Sequence, residues 1–370
     1  MSHIIATSFY ICIMVKDNNN NKSIKISEKT KQAIRISVAV IFLVLSVYFT
    51  VKDINFAKLW NYIINADYFW VILSMPVMVL SHWVRAYRWR TMMQPVKKNI
   101  KVWDLFSAVM AGYAVNNVVP RGGEFIRPYI IARREKISYT STFATIVVER
   151  FLDVLILLLM LAGVWFTFRE QIKEALPTLQ AEKLLVPVLI FLGVLILSFW
   201  PRLMRIVLKY TIKPLSDKFY AKISELFEKF TKGLSIVRTP SQYFRLTLES
   251  LAIWLLYTIP MWLMFFSFGF QKAPYNLGFE DAILLIVISG IAFTISPTPG
   301  AIGIFHFFIQ NTIVKLYGIN PEAALAYATV THTVGYLIQV GIGGIFLIRE
   351  NIKKIPTEDD LSSENGNQSS

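Results

Sequence analysis

Charged residues inside apolar sequence are the feature of this chain most able to do chemistry. The first group is Arg121, Glu124 and Arg127 in VVPRGGEFIRP, around Gly122 and Gly123. Guanidinium groups are suited to phosphate, and glycines let backbone approach a ligand closely. A helix beginning near Gly123 would aim free N–H groups at an anion, and Glu124 is spaced to pair with Arg127 at i,i+3. The second group is VVERFLD, where Glu149 and Asp153 are four apart and Arg150 and Asp153 three apart, on one helical face. The third is SPTPGAIGIFH, where Pro297, Pro299, Gly300 and Gly303 break an apolar run just before His306. The backbone groups freed there must be satisfied by protein or by a water-filled cavity.

The elements that must position these residues are membrane helices. The 370 residues are 55% hydrophobic and 17% charged, where a soluble domain has about 25% charged. Apolar segments fall at 34–51, 68–87, 104–119, 142–168, 184–200, 247–270, 281–296, 301–316 and 323–348. A full span needs about 20 apolar residues for a core of about 30 Å. Segments 104–119, 281–296 and 301–316 are too short or interrupted and read as re-entrant hairpins, over 104–132 and 281–316. The expected fold is an all-α polytopic membrane protein with about six full transmembrane helices and two hairpins, or eight apolar units with each hairpin counted as one.

The net charge of +14 is concentrated beside the apolar runs, the distribution that orients membrane proteins. No nucleic-acid-binding motif accompanies it. Lys22 to Arg35, Arg85 to Lys101, Arg133 to Lys136, the stretch 201–246 and Arg349 to Lys354 mark cytoplasmic connections, and the balanced loops 52–67, 169–183 and 271–280 are external. Both termini are then cytoplasmic and the expected location is the plasma membrane. On this topology span 68–87, hairpin and span 142–168 reappear upside down as span 247–270, hairpin and span 323–348. Inverted repeats with broken helices meeting at mid-membrane belong to transporters. If the span holding Glu149, Arg150 and Asp153 starts near Thr142, these charges lie about 10–16 Å along it, near the midplane.

Residues 1–30 read as a disordered tail or a start placed too early, with Met14 as the alternative. Residues 31–354 form the membrane domain, 201–246 an amphipathic cytoplasmic segment, and 355–370 a disordered tail. Cys12 is the sole cysteine, so a multi-cysteine metal site is excluded. No P-loop, HExxH or GxSxG motif occurs, so no catalytic residue, metal or cofactor is expected. His82, His306 and His332 read as core residues or a proton path. The arginine groups read as an anion site or as a shallow positive-inside loop, and the 149–153 group as a substrate pathway or a structural ion cluster. Gly341, Gly343 and Gly344 read as helix-packing positions.

SHWVRAYRWRTMMQP, VVPRGGEFIRP, VVERFLD and SPTPGAIG, in this order, resemble the flippase-like transmembrane family, the membrane region of lysylphosphatidylglycerol synthases. The resemblance covers roughly 34–350 and implies a helical domain that moves or presents phospholipid, with functional charges at Arg121, Glu124, Arg127, Glu149, Arg150 and Asp153. Members often carry Glu where His306 stands, so a carboxylate able to meet a cationic headgroup is missing. The synthase's soluble aminoacyltransferase domain is not seen after Lys354, and synthase activity is not expected. Relatives labelled glycosyltransferase-like share no recognisable glycosyl-transfer site with this chain. The expected partner is an anionic or zwitterionic phospholipid. Alternatives are a subunit of a lipid-modifying enzyme with a separate partner, and a gradient-coupled transporter of a small solute.

Overall fold

The computed structural model describes residues 28–175 and 240–350, with scattered positions between 206 and 224. The span expected at 184–200, most of the amphipathic segment and nearly all of both tails fall outside these residues. The start of the first helix, up to Val40, is a unit by itself, and the elements below belong to the unit beginning at Ile41.

Among the described residues all regular structure is helical. In chain order the helices are α1 Glu28–Val51, α2 Phe56–Ile64, α3 Tyr68–Met93, α4 Val102–Asn116, α5 Gly123–Glu135, α6 Tyr139–Ala175, α7 Pro240–Phe268, α8 Phe279–Ile295, α9 Ile304–Tyr317 and α10 Pro321–Arg349. Side chains set several of their starts. Asn55 Oδ1 accepts from the N–H groups of Ala57 and Lys58, Asp67 Oδ1 from Phe69, and Asn320 Oδ1 from Glu322 and Ala323, each satisfying donors that a helix start leaves open. α3, α6, α7 and α10 are long and apolar enough to cross a bilayer, and Ser37–Val51 with Phe56–Ile64 is so only when taken together, bent by 86° at the break as a broken span or a re-entrant loop. The protein is a multi-pass all-α membrane protein. The connection 52–67 is not a plain loop, as the sequence suggested, because it holds α2. The helix expected from 247 begins at Pro240.

The two broken segments are hairpins. α4 and α5 have 15 and 13 residues, α8 and α9 have 17 and 14, all short of the roughly 20 a span needs. Their ends close on their beginnings: Arg134 at the end of α5 bonds Asp104 in the first turn of α4 at 2.7 Å, and Tyr317 at the end of α9 bonds Asp281 in the first turn of α8 at 2.7 Å.

α3 and α7 lie side by side and antiparallel along their whole length. The Asp67 N–H meets the Ser267 carbonyl (2.9 Å) at one end, Arg88 meets Ser250 (2.9 Å) further along, and Gln242 meets Gln94 (3.4 Å) at the other. The remaining packing repeats about this pair. α3 packs on α4 as α7 does on α8, α5 on α6 as α9 on α10, and α4 on α10 as α8 on α6. Because α3 and α7 are equivalent yet opposed, the two sets are inverted repeats. Two cores result, one at each hairpin and each drawing on both sets: one around Trp89, Met93, Leu105 and Ile130 with Leu246 and Phe346, the other around Phe265, Leu285, Ile309 and Tyr327 with Ile156 and Val164.

The close packing expected of three glycines in α10 belongs to one of them. A Cβ on Gly343 would strike the Met110 carbonyl of α4, whereas Gly341 and Gly344 have no neighbour within 4 Å.

Candidate functional site: a buried ion network beside two hairpin tips

α6 delivers Glu149 and Asp153, four residues apart and on one face, into the angle between α3, α5 and α7. Arg127 of α5 holds Glu149 through both oxygens, at 3.0 and 2.9 Å. Arg85 of α3 gives Nε to Glu149 at 2.7 Å, Nη1 to the Tyr257 hydroxyl at 2.9 Å, and Nη2 to Asp153. Arg88, one turn on, gives Nη2 to Asp153 at 2.6 Å and Nη1 to Ser250 at 2.9 Å. The Arg127 guanidinium also lies over the Trp89 ring, 4.7 Å from its centroid, and Trp89 is fixed by donating to Thr145 at 2.8 Å. Arg85, Arg88, Arg127 and Glu149 are all buried.

Two members are looser. Arg150 Nε is 3.5 Å from Glu124 and its Nη1 3.7 Å from Asp153. The Arg150 and Glu124 side chains are 37% and 31% exposed. Four guanidiniums thus face three carboxylates, leaving one positive charge. Isolated charge in a low-dielectric interior is expensive unless paired, so this surplus favours an anion. The Nε–H groups of Arg88 and Arg127 are buried with no hydrogen-bond acceptor.

Three expectations from the sequence are corrected here. Glu124 pairs with Arg150, not with Arg127, because α5 turns Arg127 inward beneath Gly112. A Cβ at Gly112 would lie 2.8 Å from Arg127 Cδ and closer still to its Cγ. The start of α5 does not offer free donors to an anion: the Gly123 N–H goes to Asn116 Oδ1 at 2.8 Å, and the Glu124 and Phe125 N–H groups go to the Arg121 and Gly122 carbonyls. Arg85 and Arg88 are not part of a connection between helices. They are buried on α3, which runs on to Met93.

The hairpin tips meet beside this network. Arg121, at φ 62°, donates Nη2 to the Thr294 carbonyl at the end of α8, 2.7 Å away. Asn117, at the end of α4, donates to Gln339 of α10 at 3.1 Å. In the second tip Ser296 and Thr298 share a bond of 2.9 Å, Thr298 donates to the Ile302 carbonyl at 3.0 Å, and Pro297 and Pro299 flank Thr298. Gly300 (φ 57°) and Gly303 (φ 84°) take backbone conformations that favour glycine. His332 Nε2 lies 2.8 Å from the Gly300 carbonyl and donates to it, and its ring is 4.9 Å from that of His306. His82 is buried against Tyr113, ring centroids 4.6 Å apart.

Of the residues picked from sequence, Arg127, Glu149, Arg150, Asp153 and Glu124 thus meet in one network. Arg121, Gly122 and Gly123 form the first tip, and Pro297, Pro299, Gly300, Gly303 and His306 the second. Arg85, Arg88 and Tyr257 were missed as site residues. A basic pair three apart at the end of an apolar run could have been read as one helical face rather than a loop.

A family model described as "Lysylphosphatidylglycerol synthase TM region" matches residues 33–343. Among curated proteins, the chain is similar to a UPF0104 membrane protein of Methanocaldococcus jannaschii, at 23% identity across 87% of this chain and 98% of that one. One of Pyrococcus horikoshii is 23% identical across 77% of this chain and 88% of its own length. "Glycosyltransferase AglD" of Haloferax volcanii is 25% identical across 76% of this chain, but the chain spans only about half (49%) of that protein.

Proposed function

The chain belongs to the lysylphosphatidylglycerol synthase transmembrane-region family, and from that premise we propose that it carries phospholipid, or a lipid-linked substrate, between the two faces of a membrane. The observation that carries the reading is the surplus positive charge of the buried network, set where two helical hairpins meet. A lipid phosphate completes that charge balance. Arg150 is the accessible donor of the network, and Arg121 ties the two tips together through the Thr294 carbonyl; Arg85, Arg88 and Arg127 form a fixed wall, held by Glu149 and Asp153. The opposed repeats supply the motion, since rocking one on the other exposes a central site to each side in turn.

Lysines and arginines at one end of the bundle support an orientation. Lys97 pairs with Glu135, and Arg134 with Asp104 and Glu350, which joins the ends of α3, α5 and α10 to the start of α4. We assign this end to the cytoplasm by the positive-inside tendency and the protein to the plasma membrane.

The test is reconstitution. Purified protein in liposomes is expected to speed the exposure of a fluorescent phospholipid to an impermeant quencher, relative to protein-free liposomes. A second reading is favoured by the relative named a glycosyltransferase: presentation of a lipid-linked sugar to a transferase. No acceleration with any headgroup, together with glycolipid formation once a sugar donor and partner enzyme are added, would replace the first reading with the second.

A further inference from the structure

The loose ion pair Arg150–Glu124 stands where charge is least expected. Arg150 is eleven positions from the start of α6 and Glu124 eleven from the end of α5. At 1.5 Å per residue both lie about 16 Å from the basic end of the bundle, near the middle of a core of about 30 Å. Yet both are about a third exposed, and what surrounds them is apolar and outward-facing. Phe125 follows Glu124 in sequence and Val147 lies one turn before Arg150 on the same face of α6; both are exposed. Phe125 stacks on Phe143 of α6, ring centroids 5.7 Å apart, which joins α5 to α6 through an apolar contact. Val118 and Val119 of the tip are exposed as well. Charges at such depth normally face a cavity or a partner, because lipid tails cannot solvate them.

Resting on the translocation reading, we infer that Arg150 and Glu124 form a lateral gate, through which one lipid headgroup enters the network sideways from the bilayer while its chains lie over Phe125 and Val147. The contrast in bond lengths supports a gate: Arg85, Arg88 and Arg127 hold their carboxylates within 3.0 Å, whereas Arg150 reaches none closer than 3.5 Å. Arg150 is therefore the arginine a phosphate can capture without dismantling the buried wall. Glu124 is the specificity-determining residue. Its charge limits the surplus to one, which matches a singly charged phosphodiester and disfavours a doubly charged phosphomonoester. Glu124→Gln frees Arg150 and raises the surplus to two.

The experiment uses the full chain in nanodiscs of phosphatidylcholine, each doped with a lipid bearing a photoreactive acyl chain. One is a phosphatidylglycerol, the other a phosphatidic acid, and free glycerol phosphate is the competitor. Wild-type protein is expected to crosslink phosphatidylglycerol within 118–125 and 143–150, with no competition by the soluble phosphate. Arg150→Gln should lower this labelling about tenfold, the scale of a lost charge-assisted hydrogen bond. Glu124→Gln should shift the ratio of the two lipids about tenfold toward phosphatidic acid. Where Arg150→Gln fails to fold, the isosteric Glu124→Gln decides alone. An unchanged lipid ratio in Glu124→Gln overturns the gate, as does labelling confined to other helices. Competition by glycerol phosphate would make the site one for soluble phosphate and overturn it also. Protein that moves lipid in liposomes but is not labelled here loses the gate alone; protein that does neither loses the translocation reading with it.

Discussion

Arg127 and Glu149 join the returning leg of the first hairpin to a membrane-spanning helix through two parallel bonds, of 3.0 and 2.9 Å. Glu149 also accepts from Arg85, so one carboxylate fastens α3, α5 and α6 at a fully buried point. Breaking such a pair leaves charge without compensation, which costs about 3–5 kcal/mol. Glu149→Ala is therefore expected to lower stability by that order, read by thermal unfolding in detergent. Glu124→Ala, which removes only a 3.5 Å contact and leaves Arg150 its approach to Asp153, should cost less than Glu149→Ala.

The crossing of α4 and α5 depends on two glycines. A Cβ on Gly123 would overlap the Gly112 carbonyl, and one on Gly112 would overlap the Arg127 stem. Gly112→Ala and Gly123→Ala should each cost about 1–3 kcal/mol through forced displacement. Gly163→Ala, in α6 with nothing within 4 Å, should instead gain about 0.5–1 kcal/mol, as glycine does when replaced by alanine in a helix. Unfolding midpoints of the three variants check both signs; equal losses in all three would contradict the packing.

The second tip should separate stability from turnover. Gly300 has φ 57°, and a Cβ there would lie 2.9 Å from Asn117 Oδ1 of the first tip. Gly300→Ala strains the turn by about 1–2 kcal/mol and also wedges the tips apart. Lipid movement in liposomes should fall several-fold while the helical circular dichroism is retained. Wild-type movement would mean that the tips need not approach.

Orientation is open to direct labelling. Lys98→Cys, between α3 and α4 at the basic end, in a Cys12→Ser background, should react with an impermeant maleimide only from the cytoplasmic side. Reaction in intact cells from outside would reverse the assignment.

Much of the fold was legible because its signals are local. Length and Pro/Gly turns mark Val102–Glu135 and Phe279–Tyr317 as broken segments, and the structure brings the two ends of each together. α2 was missed: FAKLWNYII is short, and with its two neighbouring acids it reads as a balanced loop. Its start was nonetheless signalled by Asn55, which caps it. Arg85 and Arg88 were misplaced for a physical reason. A guanidinium at the end of an apolar run reads the same whether it faces water or a carboxylate, and the partners Glu149 and Asp153 lie 64 to 68 positions away. Glu124 and Arg127 show the complementary error. Helical spacing permits their pairing, but Glu149, brought in by α6, offers Arg127 a bidentate partner that local sequence cannot show.

The central claim, that the ion network is the path of the lipid and not only a brace, is tested most directly by measuring phospholipid movement in liposomes for wild type and for Asp153→Asn. That variant keeps the shape of the side chain, and its melting curve in detergent identifies the folded preparation to be compared. The expected result is a fall in rate of about tenfold or more, as Arg85 and Arg88 lose a shared counter-charge. Folded Asp153→Asn protein moving lipid at the wild-type rate would contradict the account.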